Sequence, residues 1–297
     1  MNDIDIVLPY VDSSDPKWRS DYVYRFGSMN FNPCRFRSWG TLKYLFRGID
    51  QYMPFINNIF LIVSRDSQVP DWVNRDLVRI VYHEDFIPQE YLPCFSSCTI
   101  EAFLGNITGL SERFIYFNDD LFPNAPMQED DFFTDNIPHI HFGVLENFPK
   151  KIIFCTQCRN SLDMVSDALH IARYPEKDLL ATNHNAAPML ASTVRTIYDL
   201  CKDTIHSTIS GLRKPKNVNQ CMYSYYQYFT GNYIDKEYRY GYLEISNDLS
   251  ELQKALTTDA QLLCLNESSS IKIFSKTQLE LKALFEYKFP NKCKYEL

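Results

Sequence analysis

Two short apolar segments that end in acidic residues constrain the fold of this chain most strongly. IDIVLPYV (4–11) leads directly into DSSDP, and RFIYF (113–117) leads directly into Asn118, Asp119 and Asp120. Short runs of branched and aromatic residues bounded by turn-forming residues are typical of buried strands. In open α/β sheets, ligands bind outside the carboxyl ends of the strands. The two acidic segments therefore indicate a functional edge of a sheet.

The order of apolar patterns in the first 120 residues predicts an α/β fold. Further strand-like runs occur at NNIFLIVS (57–64) and LVRIVYH (77–83). Helices are predicted at SWGTLKYLFRGIDQYM (38–53), where apolar residues recur at helical spacing, and at TIEAFLGNI (99–107). This alternation of strands and helices is typical of a mainly parallel sheet flanked by helices.

Beyond residue 120 the pattern is mostly helical, which we interpret as helical additions in the C-terminal half that close over the sheet edge. SLDMVSDALHIARYP (161–175) predicts a helix that ends at Pro175. Nearer the start of the chain, Glu84 and Asp85 are expected in an acidic loop after the third strand.

The composition excludes several classes of protein. A net charge of -7 argues against a general nucleic-acid binder. No apolar run is long enough for a transmembrane helix, and the N-terminus lacks the pattern of a signal peptide. The nine scattered cysteines predict a reduced, cytoplasmic chain. The closely spaced pairs Cys94/Cys98 and Cys155/Cys158 have no second pair at zinc-ligand spacing, so thiols are expected.

The acidic residues at the two strand ends have two interpretations each. Asp119 and Asp120 can hold a divalent cation, but adjacent polar residues after a strand are also typical of an Asx turn. Asp12 and Asp15 are equally ambiguous, because Asp15 can cap a helix that begins at Pro16.

Four other polar residues are candidate functional residues with an alternative structural interpretation. Arg37 and Arg213 suit phosphate recognition because guanidinium groups offer paired donors. His184 lies in the polar loop TNHNAAP and suits a general base or a phosphate ligand. Asn266 follows a predicted strand. Each of these residue types is also common on solvated surfaces.

In chain order, four sequence blocks resemble the Stealth family of sugar-phosphate transferases. That family includes bacterial capsular polysaccharide phosphotransferases and the eukaryotic N-acetylglucosamine-1-phosphotransferase that tags lysosomal enzymes. The blocks are IDIVLPYVDSSDPKW; the long stretch from RFRSWGTLKYLF to FIYFNDDLF; HNAAPMLAS with LRKPKNVNQCMYSYYQYF; and LLCLNESSS with FPNKCKYE. Together they span nearly the whole chain.

The resemblance implies a reaction. An acceptor sugar hydroxyl attacks the sugar-proximal phosphate of a UDP-sugar, typically a UDP-hexosamine. Sugar-1-phosphate is transferred, UMP leaves, and a phosphodiester joins donor sugar and glycan. We therefore predict one catalytic domain over residues 1–297, with a nucleotide-binding α/β half (1–135) and a helical half (136–297) that closes the site. The acceptor is expected to be an oligosaccharide or polysaccharide, reached in the cytoplasm or at the inner membrane face.

The resemblance also implies a divalent metal, Mg²⁺ or Mn²⁺. Asp119 and Asp120 match the family's metal and catalytic acids, and the sequence does not separate their roles. Asn266 matches the Asn of the fourth block and is implied as a metal or phosphate ligand.

The remaining roles follow from the other blocks. Arg213 is implied as a phosphate clamp and His184 as the base. Asp12 and Asp15 lie in the block that faces the nucleotide, and Arg37 is expected to reach the same pocket.

The chain departs from the family pattern at three places. The second-block strand ends in Ser64-Arg65-Asp66, where an Asp usually follows the strand more directly, so the roles of Arg65 and Asp66 are left open. The third block usually has a His two residues before its Pro, where this chain has Ala186 before Pro188. We expect that His184 takes over the role in a shifted loop. The fourth block usually continues Asn-Asp, and here Glu267 follows Asn266.

The sequence leaves two alternatives to the phosphotransferase open. The first is an ordinary glycosyltransferase that breaks the glycosidic bond and releases UDP. The second is an inactive glycan-binding relative, suggested by Ala186.

Overall fold

The computed structural model describes residues 3–28, 31–267, 271 and 274–297. The strands are β1 (Ile4–Pro9), β2 (Ile56–Val63), β3 (Val78–Tyr82), β4 (Arg113–Tyr116), β5 (Leu121–Pro123), β6 (Phe133–Thr134), β7 (Ile137–Pro138), β8 (Gly143–Glu146), β9 (Asp178–Ala181), β10 (Ala187–Leu190), β11 (Tyr240–Ile245) and β12 (Leu262–Glu267). The α-helices are α1 (Pro16–Phe26), α2 (Leu42–Tyr52), α3 (His83–Phe86), α4 (Ser97–Ala102), α5 (Ile153–Ala168), α6 (Ala191–Thr208), α7 (Cys221–Thr230), α8 (Ser250–Ala255) and α9 (Phe274–Lys288).

The largest sheet has five strands in the order β10-β4-β1-β2-β3. It is mixed and mainly parallel, with β10 antiparallel to β4. A three-stranded sheet has the order β11-β12-β5, in which β11 runs parallel and β5 antiparallel to β12. The second half of the chain adds the helices from α5 onward. The predicted class, an α/β fold with a mainly parallel sheet flanked by helices, is confirmed.

The chain divides into two compact units, each built from separate chain segments. Unit 1 consists of Met1–Asp5, Val81–Tyr116 and Phe132–Glu237, and unit 2 consists of Ile6–Ile80, Phe117–Asp131 and Tyr238–Leu297. The single catalytic domain with halves 1–135 and 136–297 stays a prediction.

Helix α2 contributes to the core of unit 2 as its spacing predicts. Leu45, Phe46 and Ile49 are completely buried, because residues three and four apart share one face of a helix. On the same helix, Gly48 allows a close approach to β5. A Cβ atom at this position would lie 2.8 Å from the carbonyl oxygen of Pro123.

Asp15 caps α1, and Pro16 begins the helix, as the sequence predicted. The Asp15 Oδ1 accepts a hydrogen bond from the Trp18 amide at 3.0 Å. Its Oδ2 accepts from the Ser67 hydroxyl and from Nε2 of Gln68. Burial raises the pKa of Asp15, but the hydrogen bonds from Ser67, Gln68 and the backbone of α1 together lower it to about 2.

Unit 1 has α5, α6 and α7 packed together. Two tyrosines of α7 are buried, and each hydroxyl donates to a backbone carbonyl. Tyr223 donates to Glu101 and Tyr225 donates to Leu180, both at 2.7 Å. Since a buried hydroxyl without a partner is costly, these bonds make the aromatic helix compatible with an interior position.

The predicted acidic loop at Glu84 and Asp85 is wrong, because both residues lie in helix α3. The Asp85 Oδ2 accepts a hydrogen bond from the Tyr82 amide at 2.8 Å. An acid at this position satisfies a backbone donor that the start of a helix leaves free.

The predicted end of a helix at Pro175 is also wrong, since α5 ends at Ala168. His170 has a φ of 55°, in the left-handed region. The Ile171 amide donates to the carbonyl of Ser166 at 2.9 Å, and the His170 amide donates to Asp167 at 3.2 Å. This pair of bonds is the Schellman motif, which usually contains glycine or asparagine at the left-handed position.

All nine cysteines are free thiols, and all except Cys34 are buried. In the described residues, no helix is both long enough and apolar enough to cross a lipid bilayer.

The cap of α1 leads to a stability prediction. We expect Asp15→Ala to lower the free energy of unfolding by about 1–2 kcal/mol, because it removes the cap of the helix. Because the pKa of Asp15 is low in the folded state, its carboxylate stabilises the fold at pH values above the ordinary Asp pKa. This stabilisation is lost as the pH falls. The difference between wild type and variant should therefore shrink as the pH falls from about 4 towards 2.

Urea unfolding at several pH values measures both effects. Asp71→Ala removes an exposed carboxylate of the same unit and serves as the control. An equal loss of stability in both variants would show that the cap has no special contribution.

Candidate functional site

The acidic turns that follow β1 and β4 come together in unit 2. The Phe117 amide donates to the carbonyl of Val7 at 2.9 Å, which places the continuation of β4 beside β1. Burial raises the pKa of Tyr10 well above its ordinary value, and the negative charges of Asp12 and Asp119 raise it further. Both carboxylates therefore act on the same phenol, as expected for neighbouring groups.

A glutamine organises the loop between Asp12 and Asp15. The Asp12 amide donates to Oε1 of Gln68 at 2.7 Å. In return, Nε2 of Gln68 donates to the Asp12 carbonyl and to the Asp15 carboxylate, each at 3.0 Å. The Asp12 Oδ1 accepts from the Ser14 amide at 2.9 Å, which is an Asx turn. The sequence did not identify Gln68, because no local pattern connects it to a loop more than fifty residues earlier.

A cavity of about 440 Å³ lies beside this loop within unit 2. Its lining combines acids, a cation, hydroxyls and aromatic rings, contributed among others by Tyr10, Asp12, Asp15, Ser38, Lys43 and Trp72. A concave site with a few polar groups and flat apolar faces is typical of small-molecule binding.

Asp120 lies against the strand that carries Asn266. The Leu265 amide donates to the Asp120 carbonyl at 2.8 Å, and Cys264 Sγ lies 3.7 Å from Asp120 Oδ2. Burial and the adjacent Asp120 charge both raise the pKa of Cys264, which keeps this thiol protonated. Two positions along the strand, Nδ2 of Asn266 donates to the Tyr242 hydroxyl at 2.7 Å.

The donor chemistry of this edge fits a hard divalent cation. Asp119 and Asp120 have carboxylate oxygens, and Asn266 has an amide oxygen on β12, the strand that pairs with β5. Oxygen ligands of these kinds are those that Mg²⁺ and Mn²⁺ prefer.

Arg37 forms a bidentate ion pair with Glu267. Nε of Arg37 donates to Oε2 of Glu267 at 2.9 Å, and Nη2 donates to Oε1. Nε1 of Trp39 donates to the same carboxylate at 3.1 Å. The guanidinium group also lies over the ring of Phe274, 4.3 Å from its centroid. This pairing connects the start of the second block to the fourth block.

Arg213 lies in unit 1 and has a neutral partner. Its Nε donates to Oε1 of Gln157 at 2.9 Å. The buried carboxyl of Glu101 accepts from the Gln220 amide at 2.8 Å. Burial raises the pKa of Glu101, although the charge of Arg213 and the hydrogen bonds to the carboxyl oppose this. The sequence singled out neither Glu101 nor Gln157.

His184 is half-buried in unit 1, with its ring edge-on to Phe154 at a centroid distance of 6.1 Å. Ala186, at the position of the family's usual histidine, is buried and has no functional side chain. That His184 acts as the base stays a prediction.

The predicted site residues are thus divided between the two units. Unit 2 contains the acids, the amide and one arginine: Asp12, Asp15, Arg37, Asp119, Asp120 and Asn266. Unit 1 contains His184 and Arg213.

Comparison with known proteins shows similarity to polysaccharide phosphotransferases. The pattern of Stealth protein CR2, conserved region 2, matches residues 35–140. A receptor polysaccharide phosphotransferase of Streptococcus oralis is 27% identical, with 100% of each chain covered. A capsular polysaccharide phosphotransferase of Streptococcus pneumoniae is 28% identical, also with 100% of each chain covered. Among solved structures, the galactosyltransferase LgtC aligns over 98% of each chain with 10% identity and a TM-score of 0.40.

The sequence relatives support a transferase. The resemblance to the Stealth family, predicted from the four blocks, is confirmed by conserved region 2 and by the full-length relatives.

The Arg37–Glu267 pair leads to a second prediction. Because both side chains are largely buried, we expect Arg37→Gln and Glu267→Gln each to destabilise the fold. A double-mutant cycle should give a coupling energy of about 1–3 kcal/mol, measured by urea unfolding. The exposed pair Lys254–Glu251 is the control and should couple by about 0.5 kcal/mol or less. Additive effects at Arg37 and Glu267 would contradict the prediction.

Glu101 leads to a third prediction. Its raised pKa means that the folded state holds a proton that the unfolded state releases, so its contribution to stability is lost as the pH rises. Relative to wild type, Glu101→Gln should therefore gain stability as the pH rises above about 4.3, the ordinary Glu pKa. Chemical unfolding between pH 4 and 8 measures this difference. Glu90→Gln, at an exposed site, is the control, and a difference that does not vary with pH would refute the expectation.

Proposed function

We propose that the protein transfers sugar-1-phosphate from a UDP-sugar, a UDP-hexosamine in the first instance, to a hydroxyl of a capsular or surface polysaccharide. The full-length similarity to two polysaccharide phosphotransferases carries this proposal. The adjacent acids Asp119 and Asp120 at a strand end add chemical support.

The cavity beside the Asp12 loop suits the nucleotide of the donor. Its aromatic faces fit a pyrimidine ring, and its carboxylates can accept hydrogen bonds from ribose hydroxyls. Both oxygens of Asp15 are already engaged in the cap of α1 and with Gln68. We therefore assign direct contact with the nucleotide to Asp12, and organisation of the loop to Asp15.

Asp119, Asp120 and Asn266 would hold the divalent cation. When bound, Mg²⁺ or Mn²⁺ neutralises charge on the diphosphate of the donor. Arg213 adds a second positive group for the phosphate oxygens.

In the proposed reaction, the acceptor oxygen forms a bond to the sugar-proximal phosphorus. The bond from that phosphorus to the bridging oxygen breaks, and UMP leaves with the electron pair. His184 takes the proton of the acceptor hydroxyl. Because the sugar keeps its bond to phosphate, the product contains a phosphodiester.

Analysis of the nucleotide product tests the proposal. The protein is incubated with a panel of UDP-sugars, Mg²⁺ or Mn²⁺, and acceptor oligosaccharides, and the nucleotides are separated by chromatography. We expect UMP together with a phosphodiester-linked glycan. UDP as the sole nucleotide product would instead show a glycosyltransferase, and no turnover with any donor would indicate an inactive relative.

Substitutions test the assigned residues. Asp120→Ala and Arg213→Ala should each lower kcat/KM by roughly 100-fold or more, since each removes a charge that acts on the diphosphate. His184→Ala should lower kcat by roughly 100-fold to 10,000-fold if it is the base. Asp71→Ala, at an exposed carboxylate, should leave the rate unchanged.

A further inference from the structure

One face of helix α5 binds the segment that carries Arg213. Gln157, Asn160 and Ser161 share that face because residues three and four apart on a helix are neighbours. Nε2 of Gln157 donates to the Lys214 carbonyl at 2.8 Å, and Nδ2 of Asn160 donates to the Pro215 carbonyl, also at 2.8 Å. We name residues 210–220 the Arg213 loop.

The Arg213 loop also has internal support from a completely buried amide, Asn217. Oδ1 of Asn217 accepts from the Lys214 amide, and its Nδ2 donates to the Thr208 carbonyl, each at 2.5 Å. Oγ of Ser161 accepts from the Asn219 amide at 2.9 Å. The loop backbone on both sides of Lys214 is therefore held by neutral amide and hydroxyl groups.

Gln157 contacts both the backbone and the functional group of this loop. It is completely buried, and its Oε1 accepts from Nε of Arg213 at 2.9 Å. Within the described part of the chain, Nη1 and Nη2 of Arg213 donate no hydrogen bond. These two groups form the fork that can bind two oxygens of one phosphate.

Arg37 in unit 2 and Arg213 in unit 1 differ in the charge of their partners. Arg37 is neutralised by the carboxylate of Glu267, whereas the acceptor for Arg213 is an uncharged amide. Burial raises the pKa of the nearby Glu101 carboxyl, although the charge of Arg213 opposes this shift. Arg213 is thus oriented by a neutral acceptor.

We propose that Gln157 is a positioning residue for phosphate recognition: it fixes the guanidinium group of Arg213 through Nε and leaves both Nη groups for the oxygens of a diphosphate. This inference rests on the proposed role of Arg213 in the transfer reaction. It concerns a residue that contacts the arginine and not the substrate.

Gln157→Leu removes the acceptor and keeps a similar side-chain volume. We expect it to lower kcat/KM for the UDP-sugar roughly 10-fold or more, the usual range for a hydrogen bond to a charged group. Gln157→Glu restores an acceptor for Nε but places a carboxylate beside Arg213, so it should not rescue the rate. Gln227→Leu is the matched control, because Gln227 is a buried glutamine of unit 1 with two side-chain partners, Thr193 and Asn232.

The decisive measurement is made in the Arg213→Ala background. If Gln157 acts through Arg213, Gln157→Leu should have little further effect on kcat/KM there. Gln227→Leu should have the same small effect in both backgrounds. Unfolding curves for both leucine variants show whether a difference in stability accounts for any loss of rate.

Binding of inorganic pyrophosphate, measured by calorimetry, makes the test independent of turnover. Arg213→Ala and Gln157→Leu should each weaken this binding, while Gln227→Leu should not. If no UDP-sugar is turned over, the proposed function fails but the pyrophosphate result still decides the role of Gln157. If UMP is released and Gln157→Leu behaves like Gln227→Leu in both assays, the inference is overturned and the proposed function stands.

Discussion

The hydrogen bond from the Phe117 amide to the Val7 carbonyl is the contact on which the candidate site in unit 2 depends. It places the residues after β4 beside β1, so the turn with Asp119 and the turn with Asp12 lie at one sheet edge. Two acidic turns at one edge repel each other, and this is unfavourable for folding unless a cation or hydrogen-bond donors compensate. The Ser14 amide, which donates to Asp12, supplies part of that compensation.

Arg37 in unit 2 and Arg213 in unit 1 are held by partners of different charge. Glu267 holds Arg37 in a buried ion pair, which gives a rigid connection between distant blocks but little free charge. Gln157 holds Arg213 through a neutral oxygen, which gives orientation. In the proposed transfer of sugar-1-phosphate, charged groups that are oriented in advance are the more effective arrangement for stabilising charge on phosphate oxygens.

Much of the fold could be predicted where a local rule governs it. The burial of Leu45, Phe46 and Ile49 follows from helical spacing, and the cap at Asp15 follows from the Asp-Pro pair. The end of α5 could not be predicted, because His170 takes a left-handed conformation that sequence rules assign to glycine or asparagine. The helix at Glu84 was missed because an acidic pair suits the start of a helix as well as a loop.

By itself, the sequence determined the class of the fold, the strand ends at which acids occur and the resemblance to the Stealth family. These depend on residues that are adjacent, at helical spacing, or arranged in ordered blocks. Only the tertiary structure decided which polar groups are partners. Arg37 and Glu267 are hydrogen-bonded although they lie 230 positions apart in the sequence. Gln68 accepts a hydrogen bond from Asp12, which lies 56 positions earlier. Partners so far apart leave no local pattern, because their meeting depends on how the intervening strands and helices pack.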